Sequence, residues 1–204
     1  MTRRLALAVL TAGLMASGVA LHAQAPASPP PRTRGTVVAV SGDLVEVQPR
    51  RGDKVAVHLG DKTPVVAVVH AQLSDLKPGR FIGTTAVPQP DGTLKAVEVH
   101  AFPESMRGTG EGHYGWDLGE GSTMTNGSVG SLAGASGRTM TVTYGSGEKT
   151  VVIPDDVPVV DLRPGDRGLI APGAHVVAIG PKAADGSVNA LRLYVGEGGV
   201  VPPM

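Results

Sequence analysis

Between Arg107 and Gly127 the chain reads "RGTGEGHYGWDLGEGSTMTNG", the run whose residue types and spacing most suggest chemistry. With Glu104 just before it, it offers carboxylates at Glu111, Asp117 and Glu120 and an imidazole at His113. Oxygen and imidazole donors of this kind suit zinc, copper or a harder divalent cation. The narrowest candidate metal set is Glu111, His113 and Asp117. The same run can also face a small molecule or peptide. Arg107 would pair an anion, Tyr114 and Trp116 would supply amphipathic rings, and Glu111, His113, Met124 and Asn126 would complete the surface. A third reading is packing alone, with the loop laying Trp116, the single tryptophan, into a seam between domains. A flexible tether fits least, because Trp, Tyr and Met are unusual in such linkers.

Other chemistry finds little footing. Gly108, Gly110 and Gly112 alternate as in a phosphate loop, but the run is acidic, lacks the lysine and does not open a helix. The chain has no cysteine, which excludes a thiol nucleophile, thiolate metal sites and disulfides. No G-x-S-x-G elbow occurs. Asp155-Asp156 follow Pro154 and read as a solvated turn. No catalytic residue is therefore assigned. On "LKAVEVHA", Glu98 and His100 share one strand face, opposite Val97 and Val99, and His100 is expected on exposed or half-buried surface. His175 is expected to pack where Phe81 packs.

The elements that must position this loop are strands. Gly (29 residues) and Pro (17) are abundant, charged residues are 18% and hydrophobic ones 41%. That balance suits short strands joined by tight turns around a real core. The chain also contains itself twice. Gly35 meets Gly130, Ser41-Gly42 meets Ser136-Gly137, Val47 meets Val142 and Lys54 meets Lys149. Further on, Pro64-Val65-Val66 meets Pro158-Val159-Val160, Pro78-Gly79 meets Pro172-Gly173, and Asp91-Gly92 meets Asp185-Gly186. The matches fall on turn residues in order, which marks an internal duplication.

Each unit reads as strands over Val37–Val40, Leu44–Val47 and Lys54–Leu59, with Pro64–Val69 as the bent end of the third. "LSDLKPG" gives one helical turn, stopped by Pro78-Gly79. Strands at Arg80–Val87 and Leu94–Ala101 follow, joined by a Pro90-Asp91-Gly92 hairpin. This is the order of an OB-like barrel. The expected fold is all-β: two tandem OB-like small β-barrels formed by an internal duplication and joined by a Gly-rich connector. The divisions are a signal peptide (1–23), a Pro-rich linker (24–34), a first barrel (35–102), the connector (103–129), a second barrel (130–196) and a tail (197–204).

The pattern "GTVVAVSG…LKPGRF…PDGTLKAVEV" resembles the small β-barrel repeat of an uncharacterised bacterial secreted family, a domain of unknown function. "ESMRGTGEGHYGWDLGEGSTMTNGSV" is similar to a subgroup with an E-x-x-R-G-x-G-E-G-H signature and a Met-Thr-Asn element. The resemblance implies the tandem-barrel fold and an envelope setting, but no established activity. Some relatives carry a metal-transporter permease label, which implies at most a metal context, since no later run approaches the length of a membrane-spanning helix.

The N-terminus reads as a secretory signal: Met1–Arg4 basic, Leu5–Leu21 uncharged and mostly apolar, then His22-Ala23-Gln24-Ala25 before Pro26. Cleavage is expected after Ala23, because cutting after Ala25 would leave Pro26 at the new terminus. The protein is thus expected in the periplasm or secreted, without stable membrane insertion once the signal is cut. Formal net charge is zero, and removing Arg3 and Arg4 tips it slightly acidic. This gives no electrostatic case for nucleic acid. The expected role is a non-catalytic binding or structural module of the bacterial cell envelope, its partner a small molecule or an envelope protein. The alternative is a metal-binding protein or metal-dependent enzyme using Glu111 and His113.

Overall fold

The computed structural model describes residues 30–133, 138–145 and 147–204. The signal (1–23), residues 24–29 of the linker and the expected Ser136-Gly137 turn lie outside them.

Among the described residues the chain is all-β, with three single turns of 3-10 helix. The strands are β1 (Arg32–Ser41), β2 (Leu44–Pro49), β3 (Val55–Leu59), β4 (Val65–His70), β5 (Phe81–Pro88), β6 (Leu94–Ala101) and β7 (Gly112–Gly115). They continue as β8 (Thr123–Ala133), β9 (Thr139–Tyr144), β10 (Gly147–Val152), β11 (Val159–Pro164), β12 (His175–Ile179), β13 (Val188–Ala190) and β14 (Arg192–Gly196). Alternation sets the faces. On β2, Val45 and Val47 are buried while Glu46 and Gln48 turn outward; on β9, Met140 and Val142 are buried between threonines. A period of two is what a half-buried strand requires. The turn at "LSDLKPG" forms as expected, a 3-10 turn at Leu73–Asp75 ended by Pro78-Gly79, with Gly79 at φ +82°.

Five strands close a barrel in the order β8-β5-β6-β10-β9, sealed where β10 pairs parallel with β6 (Val151 opposite Leu94). Ile82, Leu94, Val99, Met140, Val142 and Val151 fill it. A second ladder runs β14-β12-β1-β2-β3-β13 around Val37, Val45, Val47, Val57, Val176 and Leu193. Its two end strands are consecutive in the chain, joined through Leu191. The ladders connect through β4 and β11, which pair antiparallel and lie between β6 and β14.

Among the described residues, neither 35–102 nor 130–196 closes around a core of its own. β1, β2 and β3 join β12, β13 and β14, whereas β5 and β6 join β8, β9 and β10. The reason lies after Leu59. The expected bent end of the third strand is a separate strand, β4, set off by a turn in which the Thr63 N–H donates to the Gly60 carbonyl. β4 pairs with β14 and β11 instead of β3, and so carries the following hairpin, β5–β6, to the other core.

β8 begins at Thr123, so the last part of the 103–129 connector is strand, and Gly130 falls inside it. Gly35 on β1 and Gly127 on β8 are both pressed against a neighbouring strand. A Cβ on Gly35 would lie 2.4 Å from the Gln48 carbonyl oxygen, and one on Gly127 2.3 Å from that of Thr143. A third cluster fills the seam between the ladders, where Val66, Phe81, Phe102, Leu162, Tyr194 and Met204 pack together.

Candidate functional site at the connector and strand β1

The connector is built into the sheet. After a 3-10 turn at Glu104–Met106, β7 pairs antiparallel with β8, with His113 opposite Thr125 and Tyr114 opposite Met124. The loop from Trp116 to Ser122 is closed by the Trp116 N–H donating to the Ser122 carbonyl, 2.8 Å, and by the Ser122 hydroxyl donating to the carbonyls of Gly119 and Trp116. Glycines allow this path. Gly108, Gly110, Gly112, Gly119 and Gly121 all have positive φ, where a side chain would be strained.

That path brings Trp116 to the start of β1. The guanidinium carbon of Arg32 lies 3.5 Å from the centroid of the Trp116 ring, and Tyr114 is tilted against the same ring at 5.9 Å. Asp117 accepts two hydrogen bonds from Arg34, at 2.8 and 3.1 Å, and lies 3.5 Å from Arg32. Arg34 also donates from Nε to the Met204 carbonyl. A cation against an indole face is attractive, more so when desolvated, and the Arg32 side chain is only 7% exposed. Burial makes Arg32 less basic than usual, an effect that Asp117 partly offsets. Burial likewise raises the Tyr114 hydroxyl, against the pull of Arg32. For Asp117, burial pushes the carboxyl up, but the hydrogen bonds and charges of Arg34 and Arg32 outweigh it and hold it below the usual range. Trp116 Nε1 and Arg32 Nε are buried donors without an acceptor among the described residues.

The remaining site candidates are placed apart. Arg107 is engaged with Glu104 through two hydrogen bonds, 2.7 and 2.8 Å, and donates to the Gly79 carbonyl. Glu111 accepts from the Gly145 N–H at 2.8 Å. His113 Nδ1 lies 2.8 Å from the Thr125 hydroxyl, and burial, then the charge of Lys149, lowers its pKa. Met124 is buried on β8, opposite Tyr114 of β7. Asn126 donates to the Thr109 and Gly110 carbonyls and to the Tyr114 hydroxyl. Glu111, His113 and Asp117 therefore point to three different partners. Among the described residues no group of three or more metal-binding side chains converges.

Two groups escape sequence reasoning. Arg32 and Arg34, expected in the Pro-rich linker, lie two residues apart on one face of β1. His100, expected on the surface, is buried with Glu98. Glu98 accepts from the Thr85 N–H (2.8 Å) and hydroxyl (2.7 Å), and its other oxygen lies 2.9 Å from His100 Nδ1. The face that Glu98 and His100 share does lie opposite Val99, but Phe102 covers it, edge-on to His100 at 4.9 Å. Gly83, between His100 and Asn126 in the sheet, leaves room for both: a Cβ there would lie 2.2 Å from His100 Nε2 and 2.4 Å from Asn126 Oδ1. His175 is half-buried on β12, its Nδ1 3.2 Å from the Thr36 hydroxyl.

Comparison of the chain with protein-family models, with curated proteins and with solved structures finds no match. No helix among the described residues is long and apolar enough to cross a membrane.

Proposed function

We propose that the protein is a non-catalytic binding module of the bacterial cell envelope, exported by its N-terminal signal, with its site where the connector meets β1. The observation that carries this reading is the pair of buried donors at Trp116 Nε1 and Arg32 Nε. Buried polar groups are nearly always paired. Two orphans in one stacked pair favour a ligand that brings an acceptor oxygen. Placement does not favour the metal alternative, because Glu111, His113 and Asp117 are each committed elsewhere.

The fold is further read as an internal duplication whose two copies have exchanged strands, in line with the resemblance to tandem OB-like secreted proteins. Its support is the recurrence of pairings. Val57 opposite Val188 repeats as Val151 opposite Leu94, and Val65 opposite Leu193 repeats as Val159 opposite Val99. Both first strands carry a bulge against the second, after Val37 and after Val129.

Calorimetric titration with muramyl dipeptide, an acceptor-rich envelope fragment, tests the site. Saturable binding weakened by both Arg32→Gln and Trp116→Phe supports it. No binding, or binding indifferent to both changes, overturns it.

A further inference from the structure

β1 is flanked unequally. From Arg32 to Arg34 it pairs only with β12, and the β2 ladder starts at Gly35, opposite Pro49. β8 has the same arrangement on β5, with Gly83 opposite Asn126 where Val177 stands opposite Arg34, and its β9 ladder starts at Ser128. On β8, however, the edge that precedes the ladder is filled. Gly112 to Gly115 of β7 lie along Thr123 to Asn126. At the like place on β1 there is a cleft of about 600 Å³, lined by Arg32, Thr33 and Arg34 on one side. Val55 and Ala56 also line it.

Bases outnumber acids in its lining, with Arg32, Arg34, Arg51, Lys54 and Lys182 against Asp53 and Asp185. Asp117 pairs with Arg32 and Arg34, and Glu46 with Lys54, which leaves Arg51 and Lys182 as the lining bases without an ion pair among the described residues. The segment that fills the other edge is acidic at both ends. Glu111 precedes β7 and accepts from the Gly145 N–H, and Asp117 follows it. Gly145 follows Tyr144, whose place on β9 matches Pro49 on β2, and Pro49 is followed by Arg50-Arg51. A carboxylate placed like Glu111 would thus meet arginine on the β1 side.

We infer that this cleft is a strand-acceptor slot. It takes an extended acidic peptide segment of a partner protein as an added antiparallel strand on Arg32–Arg34. Open edges bind extended chains through main-chain hydrogen bonds, and flanking side chains select among them. The slot uses the main-chain edge of Arg32–Arg34, whereas the donor site uses the side chains of Arg32 and Trp116, so the two adjoin at Arg32.

The test uses the intact protein, isotope-labelled for NMR, and a peptide of sequence EGHYGWDLG as probe. The expected result is saturable binding with slowed amide exchange at Arg32–Arg34. Affinity should drop about tenfold in the surface double variant Arg51→Glu/Lys182→Glu, as loss of charge complementarity implies. The same peptide with alternate backbone N-methyl groups should not bind. Equal binding of the methylated peptide overturns the inference in favour of a plain anion cleft, as does displacement of the probe by inorganic phosphate. Absence of binding, shifts mapping elsewhere, or a self-association of the protein that the probe dissolves also overturns it, the last by making a second copy the occupant.

Discussion

Arg32, at the start of the first strand, and Trp116, beyond the middle of the chain, meet with the guanidinium carbon 3.5 Å from the ring centroid. This contact ties the connector to β1, and Asp117 reinforces it from the next position by binding Arg34. Arg32→Gln should cost about 0.5–2 kcal/mol, the range for a cation–π pair from exposed to desolvated. Urea denaturation measures it, and a variant as stable as the parent would mean that the contact contributes nothing.

The buried Glu98 is a second fixed point. Glu98→Ala leaves the Thr85 N–H and His100 without their acceptor, at a cost of about 3 kcal/mol or more. Glu98→Gln keeps one acceptor oxygen and should lose distinctly less. Thermal unfolding of the two variants gives the comparison, and equal losses would show that shape, not hydrogen bonding, is what Glu98 supplies.

At Gly83 the prediction concerns space. Alanine there would drive into His100 and Asn126, so Gly83→Ala should destabilise by about 1–3 kcal/mol, the usual cost of overpacking. A neutral result would mean that the two side chains part freely.

His113 gives a pH dependence with a definite sign. Burial and Lys149 lower its pKa in the folded protein below the ordinary 6.5. The unfolded chain therefore takes up a proton first as pH falls. Stability should drop from about pH 6.5 downward until the folded-state pKa is reached, and be unaffected by this group at higher pH. His113→Gln should flatten that part of a denaturation-against-pH curve, and Lys149→Met should reduce its slope. A variant curve parallel to the parent would remove His113 as the source.

The strand pairings predict that the two halves of the chain depend on each other. Cutting the chain at Gly110 and separating the pieces should leave both without stable β structure, because each core draws on both. Mixing them should restore the native circular dichroism. Two pieces that fold alone would contradict the pairing of β1 with β12 and of β5 with β8.

Much of this architecture was legible in the sequence, for physical reasons. Alternation at Val45/Val47 and Met140/Val142, and glycines at tight turns, announce short strands whatever their partners. Partner choice was not legible, because a strand's periodicity names its buried face but not its neighbour. The four valines of β4 read equally well as the end of β3 or as a strand in the seam. Partner choice likewise decides which of the two glycines on β8, Gly127 or Gly130, is pressed against the Thr143 backbone; it is Gly127. At the site, the connector's Trp116 and Asp117 are legible in the sequence as chemistry-bearing types, but their partners Arg32 and Arg34 lie in a stretch that reads as Pro-rich linker. His100 was misplaced because Phe102 covers a face that alternation alone would leave to solvent.

The most direct test of the central claim is the fluorescence of Trp116, which reports this loop alone because the chain has one tryptophan. Blue-shifted emission poorly quenched by acrylamide is expected, with a red shift in Arg32→Gln and a saturable change on adding muramyl dipeptide. Water-like emission, freely quenched and unchanged by Arg32→Gln or by the ligand, would contradict the claim and reduce the connector to a tether.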